Sequence, residues 1–88
     1  MEITFTDNAL KDLKFWQASG NNQIQKKISQ LLLAIKVDPF KGIGKPEALK
    51  HNLLGCWSRR INKEHRLVYE VEANEIIVLA LRFHYDTF

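Results

Sequence analysis

The sequence predicts an α+β fold in which two N-terminal helices pack on one side of a small, twisted antiparallel sheet. The first half carries apolar residues at helical spacing, and the second half carries short segments in which apolar and polar residues alternate. With 88 residues, of which 45% are hydrophobic, the chain suits a single domain over residues 1–88 with one modest core. The sequence contains no apolar stretch of about 18 residues, so no membrane span is predicted. The single Cys56 rules out an internal disulfide.

The N-terminal part predicts one strand followed by two helices. Residues 2–5 alternate, and Thr6 is a typical helix N-cap, so a first helix is expected from there to about Ala18. The strongest periodic signal in the chain has apolar residues at i, i+4, i+7, i+8 and i+11: Ile24, Ile28, Leu31, Leu32 and Ile35. This second helix is expected to end near Asp38, because Pro39 disfavours helical backbone at the residue before it.

The C-terminal part predicts the antiparallel sheet. Three segments rich in β-branched and aromatic residues are expected as strands, at 56–61, 65–71 and 75–85, after a short strand or irregular segment at 47–52. One face of the last two strands should pack on the helices: Leu67, Tyr69, Val71, Ile77, Leu79, Leu81 and Phe83. Residues of opposite parity should share the uncovered face: Arg60, Arg66, Arg82 and His84.

Basic residues are concentrated in the middle of the chain. Between Lys36 and Arg66 there are eight lysines and arginines and three acids, so this segment carries +5, against +3 for the whole chain. A patch of this kind attracts polyanions in a salt-dependent way. A solvated cationic surface is the alternative explanation, and charge alone favours it.

The segment Glu47–Arg66 contains the residue types that metal-free cleavage of RNA requires. Its glutamate stands among lysines, arginines and histidines, and RFHY at 82–85 adds a further arginine, histidine and tyrosine. In such cleavage a base takes the proton of a 2′-hydroxyl, an acid protonates the leaving oxygen, and cations hold the phosphate. The three histidines are 14 and 19 residues apart and lack cysteine partners, so neither a metal site nor a cofactor is predicted.

Taken one at a time, these residues also have ordinary structural explanations. Glu47 and Lys50 could form a surface ion pair, and His84 could be a plain strand histidine. Arg66 could simply be solvated. The other two histidines are expected to be structural rather than catalytic: His51 and His65.

Four motifs extend over nearly the whole chain: FWQ at 15–17, DPF-G-GKPE-LKHNL-G-WSRRI at 38–61, EHRLVY at 64–69 and R-HY at 82–85. In these motifs the chain resembles the YoeB toxins of the RelE/ParE superfamily. The resemblance implies a microbial-RNase-like fold, ribosome-dependent cleavage of mRNA in the A site, and inhibition by a cognate antitoxin of the YefM/Phd type. It also implies a cytoplasmic protein that meets DNA only through the antitoxin complex. A homodimer stays open, as does a gyrase-inhibiting or non-catalytic toxin of the same fold.

The resemblance assigns roles to the matching positions. The catalytic residues would be Glu47 as general base, His84 as general acid, and Arg66, which would stabilise charge on the phosphate. Contacts to phosphate and RNA would come from Lys50, Arg60 and Tyr85.

Overall fold

The computed structural model describes residues 1–83, which form two helices and one five-stranded sheet. The elements are β1 Glu2–Phe5, α1 Asp7–Ser19, α2 Asn22–Val37, β2 Glu47–Ala48, β3 Cys56–Arg60, β4 Arg66–Glu72 and β5 Glu75–Ala80, with a short 3₁₀ turn at His51–Leu53. The strand order is β1-β5-β4-β3-β2, in which β1 runs parallel to β5 and the other neighbours are antiparallel. The α+β prediction is confirmed. The positions of His84 and Tyr85 lie outside the described residues.

Local capping explains where the helices begin and end. Helix α1 begins after Thr6, whose side-chain oxygen accepts a hydrogen bond from the N–H of Ala9 at 3.2 Å, and it ends at Gly20 with φ of 73°. Helix α2 begins after Asn21, whose Oδ1 accepts from the N–H of Ile24 at 3.1 Å. The predicted N-cap at Thr6 and the predicted end near residue 38 are confirmed.

The main core lies between the helices and one face of the sheet. This helix-side core consists of Ala9, Trp16, Ile24, Ile28, Leu31, Ile35, Ile61, Leu67, Tyr69, Ile76, Val78 and Leu81. A second, smaller cluster lies on the opposite, helix-free face of the sheet: Leu49, Cys56, Val68 and Ala80. The chain around β2 and the 3₁₀ turn therefore covers part of the face that the helices leave open. Within residues 1–83, neither helix has the length and apolar character that crossing a membrane would need.

The predicted phase of the last strand was wrong over most of its length. Ile76 and Val78 pack in the helix-side core, Leu79 packs on the second cluster, and Phe83 is about half exposed. The pairing of β4 with β5 is irregular, since Val68 lies opposite Ala80 whereas the next residue, Tyr69, lies opposite Val78. One extra residue in β5 reverses which side chains face the helices. Of the predicted core residues in this region, Ile77, Leu79 and Phe83 fail, whereas Leu81 is confirmed.

The last strand also ends earlier than predicted, at Ala80 instead of Tyr85. Side chains of α1 bind the backbone of the next residue. The N–H of Leu81 donates to Asp12 Oδ2 at 3.0 Å, and Trp16 Nε1 donates to the carbonyl of Leu81 at 2.8 Å. Both backbone polar groups of Leu81 are satisfied by the helix, so they are not available to extend the strand ladder.

Candidate active site

Two arginines lie directly opposite each other on the helix-free face. Arg60 of β3 pairs with Arg66 of β4, and Glu47 of β2 pairs with Ser58 of β3. Paired residues share a face, and diagonal neighbours lie about 7–8 Å apart, so Glu47 is one diagonal step from Arg60. The predicted placement of Arg60 and Arg66 on the uncovered face is confirmed. Three neighbouring strands therefore place a glutamate and two arginines on the same face of the sheet.

The side chain of Arg66 is held in place. It is only 8% exposed, and its Nη1 donates to the carbonyls of Asn62, Lys63 and His65 at 2.9, 3.2 and 3.2 Å. These three acceptors belong to the β3–β4 turn. The alternative that Arg66 is a freely solvated surface residue is therefore wrong. Its orientation is fixed by the fold before any ligand arrives.

A hollow of about 250 Å³ lies beside Glu47. Its walls are Glu47, Ala48, Leu49, Lys50 and His51. Leu49 anchors this segment, because its side chain is buried and its N–H donates to the carbonyl of Cys56 at 2.9 Å. The predicted site residues Glu47 and Lys50 are exposed and share this hollow. His51, expected to be structural, is exposed there as well, with φ of 58°.

His65 holds the end of the described chain. Its Nδ1 accepts a hydrogen bond from the N–H of Phe83 at 2.8 Å, and its ring packs edge-on against Trp16 with 4.9 Å between ring centroids. The carbonyl of Phe83 accepts from the N–H of Arg66 at 3.0 Å. The expectation that His65 is structural is confirmed, and the residue that it fixes directly precedes His84.

Arg82 does not lie on the helix-free face as predicted. The central carbon of its guanidinium lies 3.5 Å from the centroid of the Phe15 ring on α1 and 4.4 Å from that of Phe83. Because β5 ends at Ala80, the strand alternation on which the prediction rested does not reach this residue. Arg82 instead stacks between two aromatic rings at the edge of the molecule.

The helix-free face carries a second carboxylate that the sequence analysis missed. Glu70 pairs with Cys56, four positions along β4 from Arg66. A hydrogen bond with Glu72, together with partial burial, raises the pKa of Glu70. Burial, with the charge of Glu70 adding to it, raises the pKa of the Cys56 thiol. Four positions along β4 separate Glu70 from Arg66, whereas Glu47 is one diagonal step from Arg60. Glu47 is therefore the carboxylate nearer to the arginine pair.

Arg59 is the main structural residue that the sequence analysis missed. It is fully buried on the helix side of the sheet, and its Nε donates to Tyr69 Oη at 3.1 Å. Its Nη1 and Nη2 donate to carbonyls of residues 38–44, hereafter the 38–44 loop. A signal for this was present in the sequence, because Arg59 has the same parity as Trp57 and Ile61, which contribute to the helix-side core.

Comparison with known proteins finds relatives over nearly the whole chain. Residues 5–85 match a family described as the YoeB-like toxin of bacterial type II toxin-antitoxin systems. The toxin YoeB of a Synechocystis strain is 48% identical over 98% of this chain and 99% of its own length. A YoeB dimer from Staphylococcus aureus superposes with a TM-score of 0.87 and 46% identity, covering 97% of this chain and 98% of that one. A YoeB–YefM complex from the same organism superposes with a TM-score of 0.86 and 48% identity, with the same coverage of both chains.

The buried Tyr69 hydroxyl generates a prediction for alkaline pH. Burial raises its pKa, and the hydrogen bond and charge of Arg59 only partly offset that. An acid with a raised folded-state pKa stabilises the fold below its unfolded pKa, about 10 for tyrosine, and this contribution is lost as pH rises through the folded-state pKa. Tyr69→Phe should therefore lower the free energy of unfolding by about 1–3 kcal/mol at pH 8. The same substitution should also make the free energy of unfolding fall less steeply above pH about 10.

Urea unfolding between pH 8 and pH 11 measures both effects. If the free energy of unfolding of the variant falls as steeply at high pH as that of the wild type, Tyr69 is not the group responsible.

Proposed function

The chain belongs to the YoeB-like toxins of bacterial type II toxin–antitoxin systems, and we propose that it is an endoribonuclease that cleaves mRNA on the ribosome and so inhibits translation. One observation supports this above all: Glu47, Arg60 and Arg66 lie together on the helix-free face of the sheet. A carboxylate and two guanidinium groups on one face of a sheet are suited to proton abstraction next to a bound phosphate. Because it would act on ribosomes, the protein would be located in the cytoplasm.

In the proposed mechanism, Glu47 removes the proton of a ribose 2′-hydroxyl. The 2′-oxygen attacks the adjacent phosphorus, and the bond from phosphorus to the 5′-oxygen breaks. His84 gives a proton to that leaving oxygen, so the products are a 2′,3′-cyclic phosphate and a 5′-hydroxyl. A general acid and a general base each contribute typically about 10²–10⁴-fold, which allows cleavage by side chains alone.

The two arginines would bind the phosphate during this reaction. Like charges directly opposite each other on a sheet are destabilising, and a phosphate between them would remove that repulsion. Arg66 is already held by three turn carbonyls, so little ordering is needed when the transition state forms. Lys50 would add a further cation from the hollow beside Glu47, and Tyr85 would pack against the RNA.

The first test is cleavage of a translated mRNA by the wild type and by Glu47→Ala. Cleavage by Glu47→Ala should be about 10²–10⁴-fold slower, because the base is lost. Glu2→Ala is a matched control, since Glu2 is an exposed glutamate on the opposite edge strand. Single-turnover rates and the chemistry of the product ends are measured.

Fragments should end in a cyclic phosphate or a 3′-phosphate. Products with a 3′-hydroxyl would contradict the mechanism, and wild-type rates for Glu47→Ala would contradict the role of Glu47. Growth arrest without mRNA cleavage would favour a toxin that acts by binding, such as a gyrase inhibitor.

A second prediction separates chemistry from docking. Arg66→Ala should lower the cleavage rate by about 10²–10³-fold and ribosome affinity far less, because its target is charge in the transition state. Lys26 and Lys27 line a groove of about 510 Å³ at the start of α2, which Ile61 and Asn62 of the β3–β4 turn also line. Replacing both with alanine should weaken ribosome binding and lower its salt dependence by about one unit of slope per lysine.

Cosedimentation with ribosomes at several salt concentrations, alongside single-turnover cleavage, distinguishes the two classes. Normal cleavage by Arg66→Ala would refute its assigned role.

The cationic face also fits an acidic inhibitor. One relative from Staphylococcus aureus is seen as a YoeB–YefM complex, and we infer a YefM-type antitoxin for this chain too. A C-terminal segment of the antitoxin that folds on binding would cover Arg60, Arg66, His84 and Tyr85. The toxin would then meet DNA only through the antitoxin. A homodimer is proposed by similarity to another relative from the same organism.

The structure of the toxin with its antitoxin tests this placement. Antitoxin residues should contact Arg60 or Arg66, and the affinity should fall as salt is added. A complex in which the arginine pair and His84 stay accessible would rule the placement out.

A further inference from the structure

The loop that leads into Glu47 is bound to one buried guanidinium group. Arg59 Nη2 donates to the carbonyls of Asp38 at 2.6 Å and Lys41 at 3.0 Å, and Nη1 donates to the carbonyl of Ile43 at 3.1 Å. Arg59 is 0% exposed, so water does not replace these acceptors. Three carbonyls spread over six residues of the 38–44 loop therefore converge on one rigid, planar donor.

Tyr69 adds a second connection between the sheet and the same loop. Its hydroxyl accepts from Arg59 Nε at 3.1 Å and donates to the carbonyl of Pro39 at 2.5 Å. The hydroxyl thus links the guanidinium to the first turn of the loop. Arg59 and Tyr69 form one hydrogen-bonded unit, hereafter the Arg59–Tyr69 clamp.

The far end of the loop is fitted closely against the clamp. A Cβ at Gly44 would lie 2.6 Å from Leu31 Cδ2 and 3.1 Å from Arg59 Cβ, and one at Gly42 would lie 3.0 Å from Arg59 Nη1. The φ angles of these glycines are 83° and 127°, which other residues rarely adopt. The carbonyl of Gly44 also accepts from the N–H of Arg60 at 2.6 Å. Gly44 is therefore fixed beside the strand that carries Arg60.

Only two residues separate this fixed point from Glu47. Lys45 has a left-handed φ of 51°, and the ring of Pro46 locks its own φ. Strand β2 then consists of two residues, paired with Ser58 and Trp57. So short an edge strand has few interactions of its own to define its register. Leu49 anchors the segment on the C-terminal side of Glu47, and on the N-terminal side the position of Glu47 depends on the loop.

We propose that the Arg59–Tyr69 clamp is a positioning unit for Glu47, which sets the place of this carboxylate relative to the Arg60–Arg66 pair. The inference rests on the proposed function, in which Glu47 is the base. Arg59 touches no substrate in this scheme, since it lies on the helix side of the sheet. In this proposal its effect on cleavage passes through the 38–44 loop to Glu47.

A double-mutant cycle separates positioning from general stability. Four proteins are compared in single-turnover cleavage of mRNA on the ribosome: wild type, Tyr69→Phe, Glu47→Ala and the double variant. Tyr69→Phe should slow cleavage by about 10–100-fold with ribosome affinity unchanged, because the base is displaced. In the Glu47→Ala background the same substitution should change the residual rate by no more than about twofold, since no base is left to misplace.

A substitution on the loop side gives an independent form of the test. Gly44→Ala should displace the loop from Arg59 and slow cleavage as Tyr69→Phe does, again only when Glu47 is present. Gly20→Ala is the matched control, because Gly20 has a similar φ of 73° but an added Cβ would have no atom within 4 Å. Should Tyr69→Phe lose its cooperative thermal unfolding, the cycle with Gly44→Ala decides.

The outcomes distinguish this inference from the proposed function. Equal slowing with and without Glu47 would mean that the clamp only stabilises the fold, and cleavage at the wild-type rate by Tyr69→Phe and Gly44→Ala would also overturn the inference. Either result leaves the cleavage mechanism intact. If Glu47→Ala itself cleaves like the wild type, it is the proposed function that fails.

Discussion

Arg59 carries its positive charge into the space between the sheet and the 38–44 loop, where backbone carbonyls and the Tyr69 hydroxyl meet it. A buried charge is costly unless it is hydrogen-bonded, and removing the loop carbonyls while Arg59 stayed buried would cost several kcal/mol, roughly 3–5. The loop and the sheet therefore hold each other in place. The hydrogen bonds of Arg59 help to fix Gly44, which lies beside the two-residue strand β2. We propose that this in turn sets the location of Glu47 on the opposite face.

The candidate site is assembled from groups that the fold has already ordered. Arg66 is anchored through one guanidinium nitrogen to the β3–β4 turn, and Arg60 lies directly opposite. This pairing of like charges reduces stability, and neither position serves the helix-side core. Unfavourable arrangements retained away from the core are typical of sites that bind a ligand of opposite charge. A phosphate diester is the ligand that the proposed function supplies.

The sequence predicted most of the fold because its signals are local. Caps, periodicity and the proline after Asp38 act within a few residues, and the helix predictions agree closely with the structure. The predictions that failed depend on contacts between elements distant in sequence. An extra residue in β5 and the capture of Leu81 by Asp12 leave no trace in alternation. Parity placed Arg60 and Arg66, whereas the roles of Glu47 and His84 came from resemblance and remain proposals. Arg59 and Arg60 are identical neighbours that strand parity assigns to opposite faces, but only the three-dimensional structure shows that Arg59 binds the 38–44 loop.

Attack by a 2′-hydroxyl on the neighbouring phosphorus is the step that Glu47, Arg60 and Arg66 are proposed to promote. An mRNA with a single 2′-deoxynucleotide on the 5′ side of the cleaved bond tests that step directly, because it removes the nucleophile and leaves the codon and the ribosome unchanged. The wild-type toxin should bind ribosomes carrying this mRNA as tightly as those carrying the normal message, and should leave that bond uncut. Cleavage of the substituted bond at the normal rate would contradict the mechanism.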